Sequence, residues 1–285
     1  MSRIAYVNGR YLPAARACVP VEDRGYQFAD GVYEVCEVRG GRLVDERRHM
    51  ARLHRSLSEL RIAHPMAPAA LSIVMHETVR RNRVRDGIVY LQITRGVARR
   101  DFPFPADETR PSVVVTARNN DLARLEQIAA EGIAVVTAPD IRWGRVDIKS
   151  VALLPNVLAK QAAREQGARE AWLVDSEGRV TEGASSNAWI VSRDGALLTR
   201  PLGNDILPGI TRSVVIEVAK AQQLTFEERA FTIEEAYAAR EAFITSASQI
   251  VQPVVRIDGR PVGNGAPGLV ATALRRAYHN HAEFS

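Results

Sequence analysis

The sequence of 285 residues has few cysteines and no long apolar stretch. Its two cysteines, Cys18 and Cys36, can form at most one bridge, which excludes a disulfide-stabilised scaffold. No apolar run approaches the ~20 residues that cross a bilayer, and the first residues lack the apolar core of a signal peptide. We therefore expect a cytoplasmic protein with reduced thiols and no membrane partner.

Lysine is scarce as well, since Lys149, Lys160 and Lys220 are the lysines among 38 basic residues and the others are arginines. The net charge of +5 is concentrated in arginine clusters such as 47–48 and 80–85. Aromatic residues make up only 6%, and no recognised nucleic-acid motif accompanies these clusters. No spacing of cysteine and histidine matches a zinc site. We predict no nucleic-acid partner and no metal.

The composition, 46% apolar and 25% charged, is that of an ordinary soluble globule. Apolar residues recur at helical spacing over 47–61 and 71–79, while 33–38, 88–95 and 112–117 have strand patterns. A polar stretch follows, and strands alternate with helices again from Gly132. Thr232 and Glu235 form a capping box that predicts the start of a short helix, and the pattern predicts a last helix over roughly 269–281. The pattern predicts an α/β (α+β) chain with an N-terminal domain over 1–118, a linker over 119–127 and a C-terminal domain over 128–285.

Two enzyme motifs can be dismissed from their context. The glycines of 263–268 fit G-x-G-x-x-G, but too few residues follow for the second strand and the ribose-binding acid of a dinucleotide site. Gly183-Ala-Ser185-Ser-Asn187 lacks the second glycine of a serine-hydrolase elbow.

The three lysines differ in their surroundings. Lys160 and Lys220 lie within predicted helices among polar neighbours, which is typical of a solvated face. Lys149 is flanked by Ile148 and Val151, and apolar surroundings lower the pKa of an amine so that it can act as a nucleophile and form a Schiff base. An ion pair with Asp147 is the other interpretation, and the residues alone leave both open.

Two further segments could bind a ligand. Glu182 lies among small and hydroxyl residues that lead into a strand, a pattern that also suits a turn. Leu207-Pro-Gly-Ile-Thr-Arg212 opens a helix, and the free N–H groups of a first helical turn bind phosphate. An ordinary helix start capped by Thr211 is the alternative.

Taken together, these segments resemble the fold-type-IV enzymes that use pyridoxal 5′-phosphate (PLP), and most closely the D-amino acid aminotransferases. The resemblance covers almost the whole chain. The matching motifs are Glu22-Asp-Arg-Gly-Tyr-Gln-Phe28, Asp30-Gly-Val-Tyr-Glu34, Asp147-Ile-Lys-Ser150, Leu158-Ala-Lys-Gln161, Thr181-Glu-Gly183 with Ser185-Ser-Asn187, Pro208-Gly-Ile-Thr-Arg212 and Phe243-Ile-Thr-Ser246.

The resemblance implies two α/β domains with PLP at their junction, and a homodimer. It implies that Lys149 binds the cofactor covalently and moves the substrate proton, and that Glu182 faces the pyridine nitrogen, which an adjacent carboxylate keeps protonated. Other positions match residues around the cofactor: Arg52, Ile210, Thr211, Ser246 and Ala247 at the phosphate, Ser185 near the cofactor, Leu207 behind the ring, and Arg142 at the phenolic oxygen.

The substrate positions depart from the family pattern. Tyr33 and Arg100 match the residues that bind the substrate carboxylate, the arginine coming from the partner subunit. The family places a histidine two residues after this arginine, where this chain has Phe102, which donates no hydrogen bond. Arg99 or Arg95 is a candidate substitute.

We therefore expect transamination between a D-amino acid of the D-alanine or D-glutamate type and a 2-oxo acid such as 2-oxoglutarate or pyruvate. Within the same fold, the alternatives are a branched-chain L-amino acid aminotransferase, an (R)-amine transaminase and aminodeoxychorismate lyase. A non-catalytic anion-binding protein is the alternative from a different class.

Overall fold

The computed structural model describes residues 3–105 and 108–285, and the contacts divide the chain into two compact units. The first unit consists of the residues up to Asp121 together with Ile148–Ala152 and Glu283–Ser285. The second consists of Leu122–Asp147 and Leu153–Ala282. Each unit combines strands with helices, as the α/β (α+β) prediction requires.

The first unit is built on an antiparallel sheet. Its elements are β1 (Ile4–Val7), β2 (Arg10–Pro13), α1 (Arg24–Phe28), β3 (Gly31–Arg39), β4 (Arg42–Leu43), α2 (Glu46–Glu59), α3 (Pro68–Arg81), β5 (Gly87–Thr94) and β6 (Ser112–Asn119). The strand order is β2-β1-β6-β5-β3-β4. The predicted helices over 47–61 and 71–79 correspond to α2 and α3, and Gly40–Gly41 forms the turn from β3 to β4.

The core of the first unit lies between this sheet and its two longer helices. Leu53 and Leu57 of α2 and Leu71 and Met75 of α3 are buried in one cluster with the apolar side chains of the strands. Full burial of each such side chain contributes about 1.5–3 kcal/mol. This packing fixes α2 against β3, and both elements also carry polar residues of the candidate site.

The second unit is built on a mixed sheet. Its elements are α4 (Leu122–Glu131), β7 (Ile133–Pro139), α5 (Leu154–Glu165), β8 (Glu170–Val174), β9 (Val180–Gly183), β10 (Asn187–Val191), β11 (Leu197–Thr199), α6 (Ile210–Ala221), β12 (Phe226–Glu228), α7 (Ile233–Tyr237), β13 (Glu241–Ser246), β14 (Ile250–Ile257), β15 (Arg260–Pro261) and α8 (Leu269–His281). The strand order is β12-β11-β10-β13-β14-β7-β8-β9, with β15 on β14. The pairs β14–β7, β7–β8 and β11–β12 are parallel.

Two helices predicted in the second half of the chain are present in the structure. The predicted capping box begins α7: the Thr232 hydroxyl accepts from the Glu235 N–H at 3.2 Å, and the Glu235 carboxylate accepts from the Thr232 N–H at 2.9 Å. The last helix spans the predicted residues, 269–281.

The interdomain linker over 119–127 stays a prediction. Residues 122–127 of this segment belong to α4, and the chain passes from the first unit to the second between Asp121 and Leu122. Ala129 is buried and Ile128 packs against the core of the second unit, so apolar residues at helical spacing are hidden among polar ones.

Lys149 also lies elsewhere than predicted. The sequence assigned it to the C-terminal domain, whereas residues 148–152 pack with the first unit. Ser150 forms an isolated antiparallel β-bridge with Val32, and the Val151 N–H donates to the Gly31 carbonyl at 3.0 Å. A strand-like contact with β3 therefore determines where the lysine lies.

Both cysteines carry free thiols. Cys18 is exposed, whereas burial raises the pKa of Cys36 well above its ordinary value.

None of the helices in the described parts of the chain is both long enough and apolar enough to span a bilayer. Within residues 3–105 and 108–285, no three His, Cys, Asp or Glu residues are grouped so that they could hold a metal ion.

Candidate active site

Lys149 is held at the edge of β3 by its own backbone. Its carbonyl accepts from the Tyr33 N–H at 3.0 Å, and its N–H donates to the Ser56 hydroxyl at 3.3 Å. Its ammonium lies 4.2 Å from the centroid of the Tyr33 ring, within the range of a cation–π interaction. Asp147 accepts from the Arg145 guanidinium at 3.0 and 3.1 Å, so this carboxylate has a cationic partner other than the lysine.

A buried cluster of polar side chains in the first unit connects β3 with α2. Glu34 of β3 accepts from the Nε and Nη2 atoms of Arg52, each at 2.8 Å, in a bidentate pair. The Nδ1 atom of His49 lies 2.7 Å from the same carboxylate. His49 and Arg52 lie three residues apart on α2, which places them on one face of the helix. Glu34 thus fixes the orientation of the arginine that the family resemblance assigns to the cofactor phosphate.

The charges of this cluster depend on one another. Burial alone would raise the pKa of Glu34, but the charge and hydrogen bonds of Arg52 and His49 hold it well below its ordinary value. Burial lowers the pKa of His49, outweighing the attraction of Glu34, and the charges of Arg52 and Lys149 lower it further. The cluster therefore consists of a carboxylate, a guanidinium and a neutral imidazole near pH 7.

The predicted substrate residues also lie in the first unit. Tyr33 stacks on Tyr90 with 5.7 Å between the ring centroids. Arg100 is exposed, and its guanidinium lies 5.2 Å from the centroid of the Phe28 ring. Arg95 is not a substitute for the missing histidine, because its guanidinium is buried against Asp30 at 2.7 and 3.0 Å. Arg99 is exposed and remains the candidate.

Glu182 is a buried carboxylate at the centre of a second cluster, in the second unit. It accepts from the Asn187 amide at 2.9 Å, from the Leu207 N–H at 3.1 Å and from the Arg142 guanidinium. These donors stabilise the ionised carboxylate. Arg142 also binds Asp140 at 2.7 and 2.9 Å; burial would raise the pKa of Asp140, but Arg142 lowers it. The family resemblance assigns Arg142 to the phenolic oxygen of the cofactor and Glu182 to its pyridine nitrogen. In the structure these two side chains form an ion pair with each other.

The start of α6 is tied to the same carboxylate through Asn187. The Asn187 amide donates to the Leu207 carbonyl at 3.0 Å as well as to Glu182. A side chain at Gly209, the residue before α6, would place its Cβ 2.0 Å from the amide oxygen of Asn187. The glycine therefore permits this close approach, and it positions the N–H groups of Ile210 and Thr211 in the first turn of α6.

Ser185 has a partner that the sequence did not predict. Its hydroxyl donates to the buried carboxylate of Glu170 at 2.7 Å, and Ser186 donates to the same oxygen at 3.1 Å. The other oxygen of Glu170 lies 3.2 Å from the Lys160 ammonium. The interpretation of Lys160 as a simply solvated residue is wrong, because it compensates a buried acid.

Ser246 and Ala247 lie at the end of β13, where the chain turns into β14. The neighbouring Thr245 is buried, and its hydroxyl accepts from the Trp189 indole at 2.9 Å. This contact anchors the strand end to β10.

Five residues that the structure places beside the predicted ones had no role assigned from the sequence, and these are Glu34, His49, Asp140, Glu170 and Asn187. Glu34 had a detectable signal, because it occupies an inward position of β3 between Val32 and Cys36, where a charge requires a partner. The partners lie on a different element, so the sequence does not identify them.

A sequence profile of the amino-transferase class IV family matches residues 31–257, and the chain belongs to that family. The predicted aminotransferase class and its α/β (α+β) fold are thereby confirmed, and the alternative of a non-catalytic anion-binding protein loses its support.

Among individual relatives, the D-alanine aminotransferase of Bacillus licheniformis is 42% identical over 273 residues, which is 96% of this chain and 95% of the relative. The D-alanine aminotransferase of Staphylococcus haemolyticus is 39% identical over 279 residues, 98% of this chain and 97% of the relative.

Solved structures with similar folds include branched-chain amino acid aminotransferases. The Escherichia coli enzyme gives a TM-score of 0.90 at 25% identity, covering 98% of this chain and 94% of that one. The enzyme of the archaeon Thermoproteus uzoniensis, solved with norvaline, gives a TM-score of 0.85 at 27% identity, covering 100% of this chain and 99% of that one.

Proposed function

We propose that the protein transfers an amino group between a D-amino acid, of the D-alanine or D-glutamate type, and a 2-oxo acid such as pyruvate or 2-oxoglutarate. The observation that carries this proposal is the 42% identity to a D-alanine aminotransferase over nearly the full length of both chains. A branched-chain substrate is less well supported, since the two structurally similar branched-chain enzymes named above are 25% and 27% identical.

The cofactor is pyridoxal 5′-phosphate, and the residues present suit it chemically. Lys149 offers an amine that lies against an aromatic ring, and Glu182 offers a buried carboxylate. The first turn of α6 follows Gly209, a glycine whose surroundings leave no room for a side chain. When bound, PLP supplies an electron sink for the charge that develops at the substrate Cα.

Lys149 and Glu182 carry the chemistry in this proposal. The Lys149 amine would hold the cofactor covalently, and as a free amine it would act as the base that accepts the proton of the substrate Cα. The Glu182 carboxylate, held by Asn187 and the Leu207 N–H, keeps the pyridine nitrogen protonated. Arg142, paired with Glu182, is proposed to reach the phenolic oxygen as well.

The phosphate is proposed to bind at several donors. The N–H groups of Ile210 and Thr211 open α6, where the helix dipole favours an anion. Arg52, oriented by Glu34, adds a charge-assisted hydrogen bond. Ser246 and Ala247, at the end of β13, would contribute further donors, Ser185 would lie near the cofactor, and Leu207 would pack behind its ring.

The substrate carboxylate is proposed to bind Tyr33 and Arg100, with Arg100 supplied by the second subunit of a homodimer. Large exposed apolar side chains in the first unit, such as Tyr26 and Phe102, each 79% exposed, support an interface between copies. We also propose a cytoplasmic location, and two domains, 1–118 and 128–285, joined by a linker over 119–127.

A panel of amino donors tests the proposed function. The purified protein, loaded with PLP and supplied with 2-oxoglutarate, is assayed with D-alanine, L-alanine, L-leucine and an aromatic (R)-amine, and separately for lyase activity on aminodeoxychorismate. Turnover of D-alanine well above the others supports the proposal. Preference for L-leucine, the amine or aminodeoxychorismate would assign the chain to the corresponding alternative within the fold.

A further inference from the structure

The loop over 96–105, which carries Arg100, is fastened to the body of the first unit by a buried arginine. Arg24 of α1 is 3% exposed, and its Nη1 donates to the Asp101 carbonyl at 2.6 Å. Its Nη2 lies 3.4 Å from the Phe102 carbonyl. A buried guanidinium needs partners for its N–H groups, and here two of these partners are backbone atoms immediately after Arg100.

Asp30 sets the direction in which Arg24 points. Its carboxylate accepts from the Arg24 Nε at 2.8 Å and from the Arg95 Nε at 2.7 Å. Arg95 in turn stacks on the Phe104 ring at 3.7 Å and donates to the Leu60 carbonyl at 2.7 Å. The two arginines thus fasten the loop on both sides of Phe102.

The ring of Phe28 lies between two guanidinium groups. Arg24 lies 4.7 Å and Arg100 lies 5.2 Å from its centroid, and the Phe102 ring is 5.6 Å away. Both guanidinium groups are therefore within the range of a cation–π interaction with this ring.

Backbone hydrogen bonds also hold the first residues of the loop in place. The Arg24 N–H donates to the Gly96 carbonyl at 2.9 Å, and the Ala98 N–H donates to the Glu22 carbonyl at 3.3 Å. Gly96 has a φ of 101°, and a Cβ there would lie 2.0 Å from the Arg110 carbonyl oxygen. The loop thus leaves β5 along a defined path.

We infer that Arg24 is a positioning residue for recognition of the substrate carboxylate. It holds the Asp101 and Phe102 carbonyls so that Arg100 rests on Phe28 and presents its guanidinium in one direction. This inference rests on the proposed function, because it takes Arg100 as the carboxylate-binding residue.

Arg24→Met removes one of the two guanidinium groups that bind Asp30, and the loss of a buried partner costs stability. Arg95 still donates to the Asp30 carboxylate at 2.7 and 3.0 Å, so no buried charge is left unpaired. Arg24→Met is therefore the informative variant, and Arg24→Lys is the conservative one, since a lysine reaches one carbonyl but not both. Arg118→Met, at an exposed position of β6, is the matched control.

The test measures two properties of the PLP-loaded protein. Amide hydrogen exchange over 99–102 is expected to accelerate in Arg24→Met and not in the control. The KM for D-alanine is expected to rise ~10- to 100-fold, with kcat within a few-fold and the near-visible absorbance of bound cofactor unchanged, because misplacement of a binding group by about 1 Å has costs of this order. Arg24→Lys should lie between the two.

Unchanged exchange and unchanged KM in Arg24→Met would overturn the inference, as would a fall in kcat at constant KM. If Arg24→Met does not fold, Phe28→Leu decides the question: it leaves the hydrogen bonds of Arg24 in place and should raise KM several-fold, whereas the Arg118→Met control should not. A wild-type protein that turns over no D-alanine would contradict the proposed function, and the exchange measurement would still test whether Arg24 holds the loop.

Discussion

At the scale of single residues, function depends on which lysine and which acid the fold selects. Lys149 was distinguishable from Lys160 and Lys220 by its apolar neighbours, and the family resemblance favoured it further. Its contact with Tyr33 was not predictable, because it follows from a backbone pairing with a strand more than 100 residues earlier in the chain. The partners of Glu34 were hidden from the sequence for the same reason.

Replacement of Lys149 by alanine is expected to abolish the near-visible cofactor band and to lower transamination by at least ~10³-fold, since positioned proton transfer contributes about 10²–10⁴-fold and the covalent link is lost as well. Lys220→Ala is the matched control and should retain both. Lys160 is unsuitable as a control because it pairs with Glu170. Retained turnover in Lys149→Ala would show that the lysine is misassigned.

Replacement of Glu182 by glutamine keeps the size of the side chain and removes its charge. The cofactor should still bind, while kcat falls by about 10²–10³-fold, the range for loss of one preorganised electrostatic partner. Absorbance titration with PLP and steady-state kinetics measure the two effects. Glu177→Gln, at an exposed turn, should leave both unchanged. Equal activity of Glu182→Gln and wild type would exclude Glu182 as the pyridine partner.

At the scale of elements, long periodic helices were predictable and short or non-local elements were not. The helices at 46–59, 68–81 and 269–281 carry clear apolar stripes. β1, β2 and α1 are four or five residues long, too short for a periodic signal. The start of α6 was predicted from Pro208-Gly209, but its link to Glu182 through Asn187 requires the folded chain.

Gly209→Ala tests that link. The added Cβ would lie 2.0 Å from the Asn187 amide oxygen, so either the start of α6 or the amide must move. We expect weaker binding of PLP, by at least about tenfold, which corresponds to the loss of one charge-assisted hydrogen bond. Gly144→Ala is the control, since its Cβ would meet nothing within 4 Å. Unchanged PLP affinity in Gly209→Ala would separate α6 from the phosphate site.

At the scale of the whole molecule, the class and the family were predictable from the sequence, whereas the placement of one site segment was not. The α/β (α+β) class followed from composition and periodicity, and the aminotransferase family from ordered motifs. The assignment of residues 148–152 to the first unit did not follow, because tertiary pairing with β3 determines it.

Stability should fall as the solution is acidified. The pKa of His49 is lowered in the folded protein, so the unfolded chain, with a pKa near about 6.5, binds protons first as the pH falls below 7. The lowered pKa of Glu34 acts in the same direction below about 4.3, the value of an unperturbed glutamate. Chemical denaturation between pH 7.5 and 5 should therefore show a smaller slope for His49→Gln than for wild type. His281→Gln, at an exposed position of α8, should keep the wild-type slope, and an unchanged slope in His49→Gln would contradict the assignment to His49.

The central claim, PLP chemistry on D-amino acids, is tested most directly by one absorbance titration of the PLP-loaded protein with D-alanine and then with L-alanine. We expect a near-visible band that D-alanine converts to that of the aminated cofactor and that L-alanine leaves in place. A band that L-alanine converts and D-alanine does not, or no band after loading with PLP, would contradict it.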